Sequence, residues 1–498
     1  MASMPLLRTK SVAELISASE DSSLRLKRSL GVWSLVALGI GMVIGTGIFT
    51  LTGTAAAGLK LDYPSVLKAP LLNLLLQGRH ALGTFGRPGA GPAISLSFVL
   101  VAAACGFAAL CYAELASMIP VAGSAYTYAY ATLGEIFAWI IGWDLILEYA
   151  VGNMAVAVGF GAYFNDLLDN VFGFHLPASL ANPVLAGGKL TGATFNIPSF
   201  ALVMILTWLL VRGIRESAQA NNAMVVIKIA AILVFVFGAA RSVNAANWRP
   251  FMPNGFSGVL TSGAIVFFTY IGFDAISTAA EECRNPRRDL PLGIAITLGA
   301  CALLYALVGL VLTGIAHWST LANDAPVANA LKMLGYNRIR FFVTVGALMG
   351  MISSTLVGQY GQARIWFAMS RDRLLPPLFS RVHSRYETPA ASTWIAGILV
   401  AIPAGIWDIG TLAELTNIGT LFAFVIVSAG VVILRRTHPD QPRGFRVPWT
   451  PLLPALSIIF CFVLMLSLPL ETWIRFFVWL AIGLAIYFLY GRKRTAPA

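Results

Sequence analysis

The sequence predicts an all-α integral membrane protein with twelve transmembrane helices, arranged as a five-plus-five inverted repeat with helices 1 and 6 broken. Three observations carry this prediction. Of the 498 residues, 58% are hydrophobic and 11% charged, whereas soluble domains run at roughly 25% charged. Twelve apolar runs approach the roughly 20 residues that a helix needs to cross hydrocarbon. They are 33–57, 92–113, 136–162, 198–214, 222–240, 256–280, 291–316, 341–370, 391–407, 411–434, 452–470 and 473–490. The first and the sixth of these are interrupted, and an offset of five makes the two run in opposite directions across the membrane. Broken helices related in this way meet near the midplane and build a substrate site.

About thirty polar, partly basic residues precede the first run, without the pattern of a cleavable leader. Of the 34 Lys and Arg, 22 fall on the side of the N-terminus, 11 on the opposite side, and Lys228 lies inside a span. Positive charge marks the cytoplasmic side, so both termini are expected in the cytoplasm and the chain in the plasma (inner) membrane. The net charge of +12 follows from this bias, and no nucleic-acid partner is expected. Cys105, Cys111, Cys283, Cys301 and Cys461 lie in spans or at their cytoplasmic ends, which implies no disulfide framework. The histidines, at 80, 175, 317, 383 and 438, fall in loops or at span ends, so no metal or other cofactor is expected. A Walker-type GKS or GKT is absent, which argues against ATP-driven transport within this chain. No feature specifies an oligomeric state.

In chain order, span one holds "ALGIGMVIGTGIFTLTG", with glycines at 39, 41, 45, 47 and 53. Glycine costs about 1 kcal/mol per helical residue relative to alanine. This density marks either close packing, for which Gly41 and Gly45 form a GxxxG pair, or a break. A dinucleotide fingerprint is excluded, because Ile44 stands where its third glycine belongs and no strand precedes it. Residues 58–91 form an outer insertion whose apolar middle, Pro64 to Gln77, is too short to span. It reads either as an interfacial or protein-packed helix behind a first-turn proline or as a disordered or lid-like loop. After span two, "IPVAGSAYTYAYATLGE" is small and aromatic with few charges, an inner gate element or a packing element.

Span three carries Asp144 and Glu148 on one helical face. Glu148 is expected to line a pocket, the alternative for both being a structural hydrogen bond. Span five, "NNAMVVIKIAAILVFVFGAA", has Lys228 as its single formal charge, at a cost of about 3 kcal/mol at a helix centre. Lying roughly 9 Å from the cytoplasmic start of its helix, its ammonium either snorkels to the inner surface or turns inward to carbonyls at a break in span one. Span six, "LTSGAIVFFTYIGFDAISTAAEE", places Asp274 just after Gly272 in apolar sequence, where its ionised form needs partners. Gln359 in span eight is expected at the pocket level, the alternative being a bond between helices. "EECRNPRRDLP" and "SRDRLLPP" read as topology anchors on the inner side.

A broken helix leaves amides at one half-helix start and carbonyls at the other half-helix end. The amides suit a carboxylate and the carbonyls an ammonium. A ligand carrying both groups on one carbon is an α-amino acid.

The stretches "GIGMVIGTGIFTLTG", "CYAELASMIPVAGSAYTYAYATLGE", "GWDLILEYAVG", "GFDAISTAAEECRNPRRDLP" and "AMSRDRLLP" together resemble the amino acid, polyamine and organocation transporters, and within them the cationic amino acid transporter group. The resemblance covers roughly residues 25–490 apart from the outer insertion. It implies a LeuT-like fold, with an N-terminal segment 1–30, a first repeat 31–240, a second repeat 256–434, helices 11 and 12 at 452–490 and a tail 491–498. It implies backbone recognition of the substrate carboxylate around Val43, Thr46 and Gly47, and of the amino group around Phe268, Thr269 and Ile271. Glu148, Asp274 and Gln359 join them as expected substrate-binding residues, Glu148 and Gln359 making the distal pocket polar enough for a cationic side chain. In sodium-driven relatives a bound cation supports the region of the break, and a protonated Lys228 would supply an equivalent charge. Lys228 is therefore the expected proton-coupling residue.

The expected function is secondary active transport, the uptake of an L-amino acid with protons by alternating access. The alternatives are an exchanger of amino acids or amines and a transporter-derived nutrient sensor. An enzyme is not expected, because no nucleophile and base pairing emerges from the spans. The insertion, residues 60–90, is expected to be dispensable for substrate binding.

Overall fold

Each of the twelve apolar runs coincides with a helix, as continuous hydrocarbon-facing sequence dictates where backbone groups must be satisfied within the segment. The computed structural model describes residues 9–12, 14–15, 30–59, 65–77, 87–121, 123–186, 189–212, 217–323, 325–383, 386 and 388–492. Most of segment 1–30, the parts 60–64 and 78–86 of the insertion with His80, and the tail 493–498 lie outside the described residues.

The first run is two helices, α1 (Val32–Val43) and α2 (Gly47–Ala57), bent by 42° at the break between them. A short helix α3 (Leu71–Gln77) belongs to the insertion. There follow α4 (Ile94–Met118), α5 (Ala125–Thr132), α6 (Glu135–Phe172), α7 (Ile197–Arg212) and α8 (Ser217–Ala239). The second half contains α9 (Gly255–Val266), α10 (Pro286–Ile315), α11 (Pro326–Met333), α12 (Asn337–Arg371), α13 (Ala390–Ala404) and α14 (Ile409–Thr437). Helices α15 (Leu452–Leu466) and α16 (Leu470–Ile486) complete the chain.

Among the described residues, eight helical stretches are long and apolar enough to cross a membrane, one of them Gly255–Ala280, which runs on beyond α9, and the bent pair α1–α2 makes a ninth. The remaining three, α7, α13 and α15, have 16, 15 and 15 residues. At 1.5 Å per residue they reach about 24 Å, short of the roughly 30 Å hydrocarbon core. Large apolar side chains such as Phe237, Leu303 and Phe477 are exposed on the outer helix faces, as lipid-facing surface requires.

Glycine sets the closest approaches in the core. A methyl group on Gly361 would lie 2.7 Å from the Tyr149 ring, and one on Gly39 2.6 Å from Ile276. The insertion packs on protein. Its base is a two-residue antiparallel ladder of Gly58–Leu59 with Arg87–Pro88. Around α3, the Leu71 amide donates to the Leu468 carbonyl (3.0 Å), and the Leu470 and Glu471 amides donate to Ala69 (3.1 Å) and Leu67 (2.9 Å). Lys68 also pairs with Glu471 at 2.7 Å. These bonds tie α3 to the turn between α15 and α16, and the helix starts at Leu71, after Pro70, rather than at Pro64.

Candidate functional site

Ending α1 inside the protein releases its last carbonyls, and each of four meets a side chain from another helix. Lys228 on α8 donates from Nζ to the Gly41 carbonyl (2.8 Å) and the Ile44 carbonyl (2.9 Å). Ser354 on α12 donates to Met42 O (2.7 Å) and Tyr305 on α10 to Val43 O (2.9 Å). A third contact, 3.4 Å to Ser353 Oγ, uses the last ammonium hydrogen. Lys228 is fully buried. It turns inward rather than snorkelling, and its charge sits at the negative end of the α1 dipole.

Beyond the break the chain re-enters helix at Thr46 and Gly47, and no side chain caps these first amides. The first turn of α2, Gly47–Leu51, is wider than an α-turn, a distortion common at functional sites. Thr46 shares a hydroxyl bond with Thr50 at 3.2 Å.

The second break follows α9. The chain makes one tight turn over Phe267–Tyr270, passes Gly272 at φ +116° and continues as a narrow helix from Asp274 to Glu282. Only glycine adopts such a φ without strain. Asn417 on α14 donates to Ala264 O (2.7 Å), the Thr269 hydroxyl donates to Val266 O (2.6 Å), and the Ile271 amide donates to Phe268 O. The two breaks touch. A methyl on Gly47 would lie 2.7 Å from Thr269 Cγ2, and one on Gly272 would overlap Met42.

Where the breaks meet is a cavity of about 30 Å³. Six of the sequence-predicted residues line it: Val43, Thr46, Gly47, Glu148, Phe268 and Ile271. Thr269 stands against Gly47 at its edge. Glu148 is buried, shares a hydrogen bond with the Thr420 hydroxyl and has one oxygen, Oε2, without a partner. Asp274 lies off the wall, its Oδ1 accepting the Gly272 amide at 3.2 Å. Gln359 also lies off the wall and accepts from Thr207 on α7 at 3.0 Å. Asp144 is buried against Gly419 without a hydrogen-bond partner.

Sequence reasoning missed Asn153 and Ser354, which line the cavity, as well as the carbonyl donor Tyr305. Small polar residues and tyrosines are frequent in these helices, and no local pattern sets apart those that face a distant break.

The two faces of the protein on either side of the cavity differ. On the face that carries Lys10, α5 packs under the site. Ser277 donates to Ser124 (3.1 Å), the Tyr126 hydroxyl donates to Asp372 (2.6 Å), and Lys10 pairs with Asp372 (2.7 Å). Arg364 and Glu282 close beside them at 2.5 Å, over a cavity of about 120 Å³. On the opposite face a vestibule of about 670 Å³ lies over the site, walled by α2, α6, α14 and the insertion.

A small cavity at two touching helix breaks, within membrane-crossing helices and flanked by cavities of unequal size, defines a membrane transport protein. The family model for amino acid permeases matches residues 30–487. The chain belongs to this family, within the amino acid, polyamine and organocation superfamily, and it is a transporter rather than an enzyme. It is 46% identical over 492 residues to the branched-chain amino acid permease BcaP of Bacillus subtilis, covering 98% of both chains. It is 44% identical over 490 residues to the methylthioribose transporter of the same organism, again covering 98% of both. Against the cationic amino acid transporter 9, chloroplastic, of Arabidopsis thaliana the identity is 33% over 550 residues, 97% of this chain and 90% of that one.

Proposed function

We propose that this protein takes up an L-amino acid together with a proton, as a twelve-span secondary transporter of the plasma (inner) membrane working by alternating access. Both termini are cytoplasmic in this reading, and residues 31–240 and 256–434 are the two inverted repeats. The observation that carries it is the unequal use of backbone groups at the first break. The four carbonyls released by α1 are taken by side chains, while the amides that open α2 at Thr46 and Gly47 have no side-chain cap. The α2 start receives the substrate carboxylate, and the carbonyl ends at Phe268, Thr269 and Ile271 receive its ammonium.

Apolar walls from Val43, Val156, Phe268 and Ile271 suit a branched aliphatic side chain, which agrees with the name of the 46%-identical relative. Glu148 is the group that would instead admit a cationic side chain, and Asp274 and Gln359 support the pocket from behind it. Lys228 couples the proton. Protonated, it holds α8 against the α1 carbonyls. Neutral, it releases that contact and favours the other face of the cycle, with no need for sodium.

Uptake into proteoliposomes of the purified protein tests this. L-leucine enters faster as external pH falls, with sodium and potassium buffers equivalent. Sodium-dependent uptake, or L-arginine competing where L-leucine does not, overturns the corresponding part of the reading.

A further inference from the structure

The vestibule holds several ion pairs, most of them fully matched. Arg340 bridges Asp166 and Asp169, Lys332 joins Asp169, and Lys68 joins Glu471. The pair of Arg87 with Glu414 differs from these. Both side chains are about nine-tenths buried, at 10% and 6% exposure, yet Arg87 Nε has no acceptor. One turn along α14 from Glu414 stands Asn417, fully buried. Its amide nitrogen is spent on the end of α9, and its Oδ1 has no donor. Arg87, Glu414 and Asn417 all line the vestibule.

A buried unpaired donor and a buried unpaired acceptor each carry a cost of about 1–3 kcal/mol, which a ligand supplying the missing partners removes. Here the donor belongs to a cation and the acceptor lies beside a carboxylate, so the matching ligand carries an anion and a cation close together. The place matters as well. Gly159 in the vestibule wall backs directly on Thr46 of the closed cavity, where a methyl group would overlap the threonine hydroxyl. The 670 Å³ volume falls within the roughly 300–1,000 Å³ of small-molecule sites.

We propose that Arg87 and Glu414, with Asn417, form a second binding site for the amino-acid zwitterion, outside the closed cavity, where an arriving substrate separates and replaces their ion pair. The substrate carboxylate takes the Arg87 guanidinium, and its ammonium takes Glu414 and Asn417 Oδ1. The inference rests on the transport reading above and gives the insertion a direct part in substrate capture, since Arg87 closes its base.

Equilibrium dialysis of the detergent-purified full chain with labelled L-leucine tests it. The wild type binds two leucines per chain at saturation, with unequal affinities. The double variant Arg87→Gln/Glu414→Gln, which removes both charges at near-constant volume, binds one. Arg87→Lys keeps the ion pair and hence the fold, loses the free Nε, and weakens the outer site at least about tenfold. Each variant is checked by its melting temperature. One leucine per chain in the wild type, with the same affinity in Arg87→Lys, overturns the second site and leaves the transport reading standing. No binding of any common amino acid overturns the substrate class itself and the second site with it.

Discussion

At the break between α1 and α2, the released carbonyls are met by side chains from α8, α10 and α12, one of them a buried ammonium. At the break after α9, the chain turns on Gly272 and is held by Asp274, two residues away. The first interruption is stabilised from outside its own segment and by a charge. The second turns on a local glycine conformation and one carboxyl oxygen, and the bonds that reach it from other helices, such as Asn417 to the Ala264 carbonyl, are neutral. The contrast teaches which break is built to change. A contact between separate helices can be made and lost in a cycle, whereas a local turn moves as a unit with its helix.

The largest expected effect tests that contrast directly. Lys228→Ala leaves the Ile44 carbonyl without its side-chain donor, leaves Gly41 only Ser353, and removes the proposed proton carrier. Uptake driven by a pH gradient falls by a factor on the order of 100, about 2.7 kcal/mol of barrier, and the residual uptake no longer changes with external pH. Leucine binding in detergent persists. Wild-type pH-driven uptake in this variant would end the coupling role.

Next in size is Gly272→Ala. A side chain at φ +116° is strained by roughly 1–3 kcal/mol and meets Met42 across the junction of the two breaks. Leucine affinity drops by about tenfold or more, with proton dependence unchanged in what uptake remains. Equal affinity in the variant would mean that the second break tolerates rearrangement and that the two are not as different as drawn here.

A smaller effect is expected for Ser354→Ala, which removes one neutral donor from the Met42 carbonyl, worth about 1 kcal/mol. Its dissociation constant for leucine rises about fivefold. The smallest belongs to Asp274→Asn. The amide oxygen still accepts the Gly272 N–H, so the turn survives, and binding changes less than about twofold. A large loss would show that the second break also needs charge. Replacing residues 60–90 by a Gly/Ser linker sharpens the picture from outside the breaks. The sequence expectation is no effect on binding, whereas removal of Arg87 with the linker predicts loss of the outer, weaker site alone.

Much of this was legible in the chain. Hydropathy marked twelve runs that each hold helix, because a chain in hydrocarbon must satisfy its backbone groups within the segment. The glycine clustering in 39–53 left packing and a break both open, and the structure uses it for both: Gly41 lies close to Asn221, while Gly45 stands at the interruption. The inward or snorkelling choice for Lys228 was undecidable locally, since both keep the same helix and differ only in which neighbour lies alongside. Gln359 illustrates the converse. Its place in span eight was readable, but its pairing with Thr207 depends on how α12 rotates against α7.

The sequence by itself determined where helices run, which two of them are weakened, and that one buried cation needed compensation, because these follow from the transfer cost of each residue and from backbone propensity. Only the tertiary structure decided what satisfies the failures. The donors to the α1 carbonyls come from 187 residues away for Lys228, 262 for Tyr305 and 312 for Ser354. Their selection is a matter of helix packing and rotation, to which hydropathy is blind, because a serine or tyrosine that caps a broken helix has the same transfer cost as one that does not.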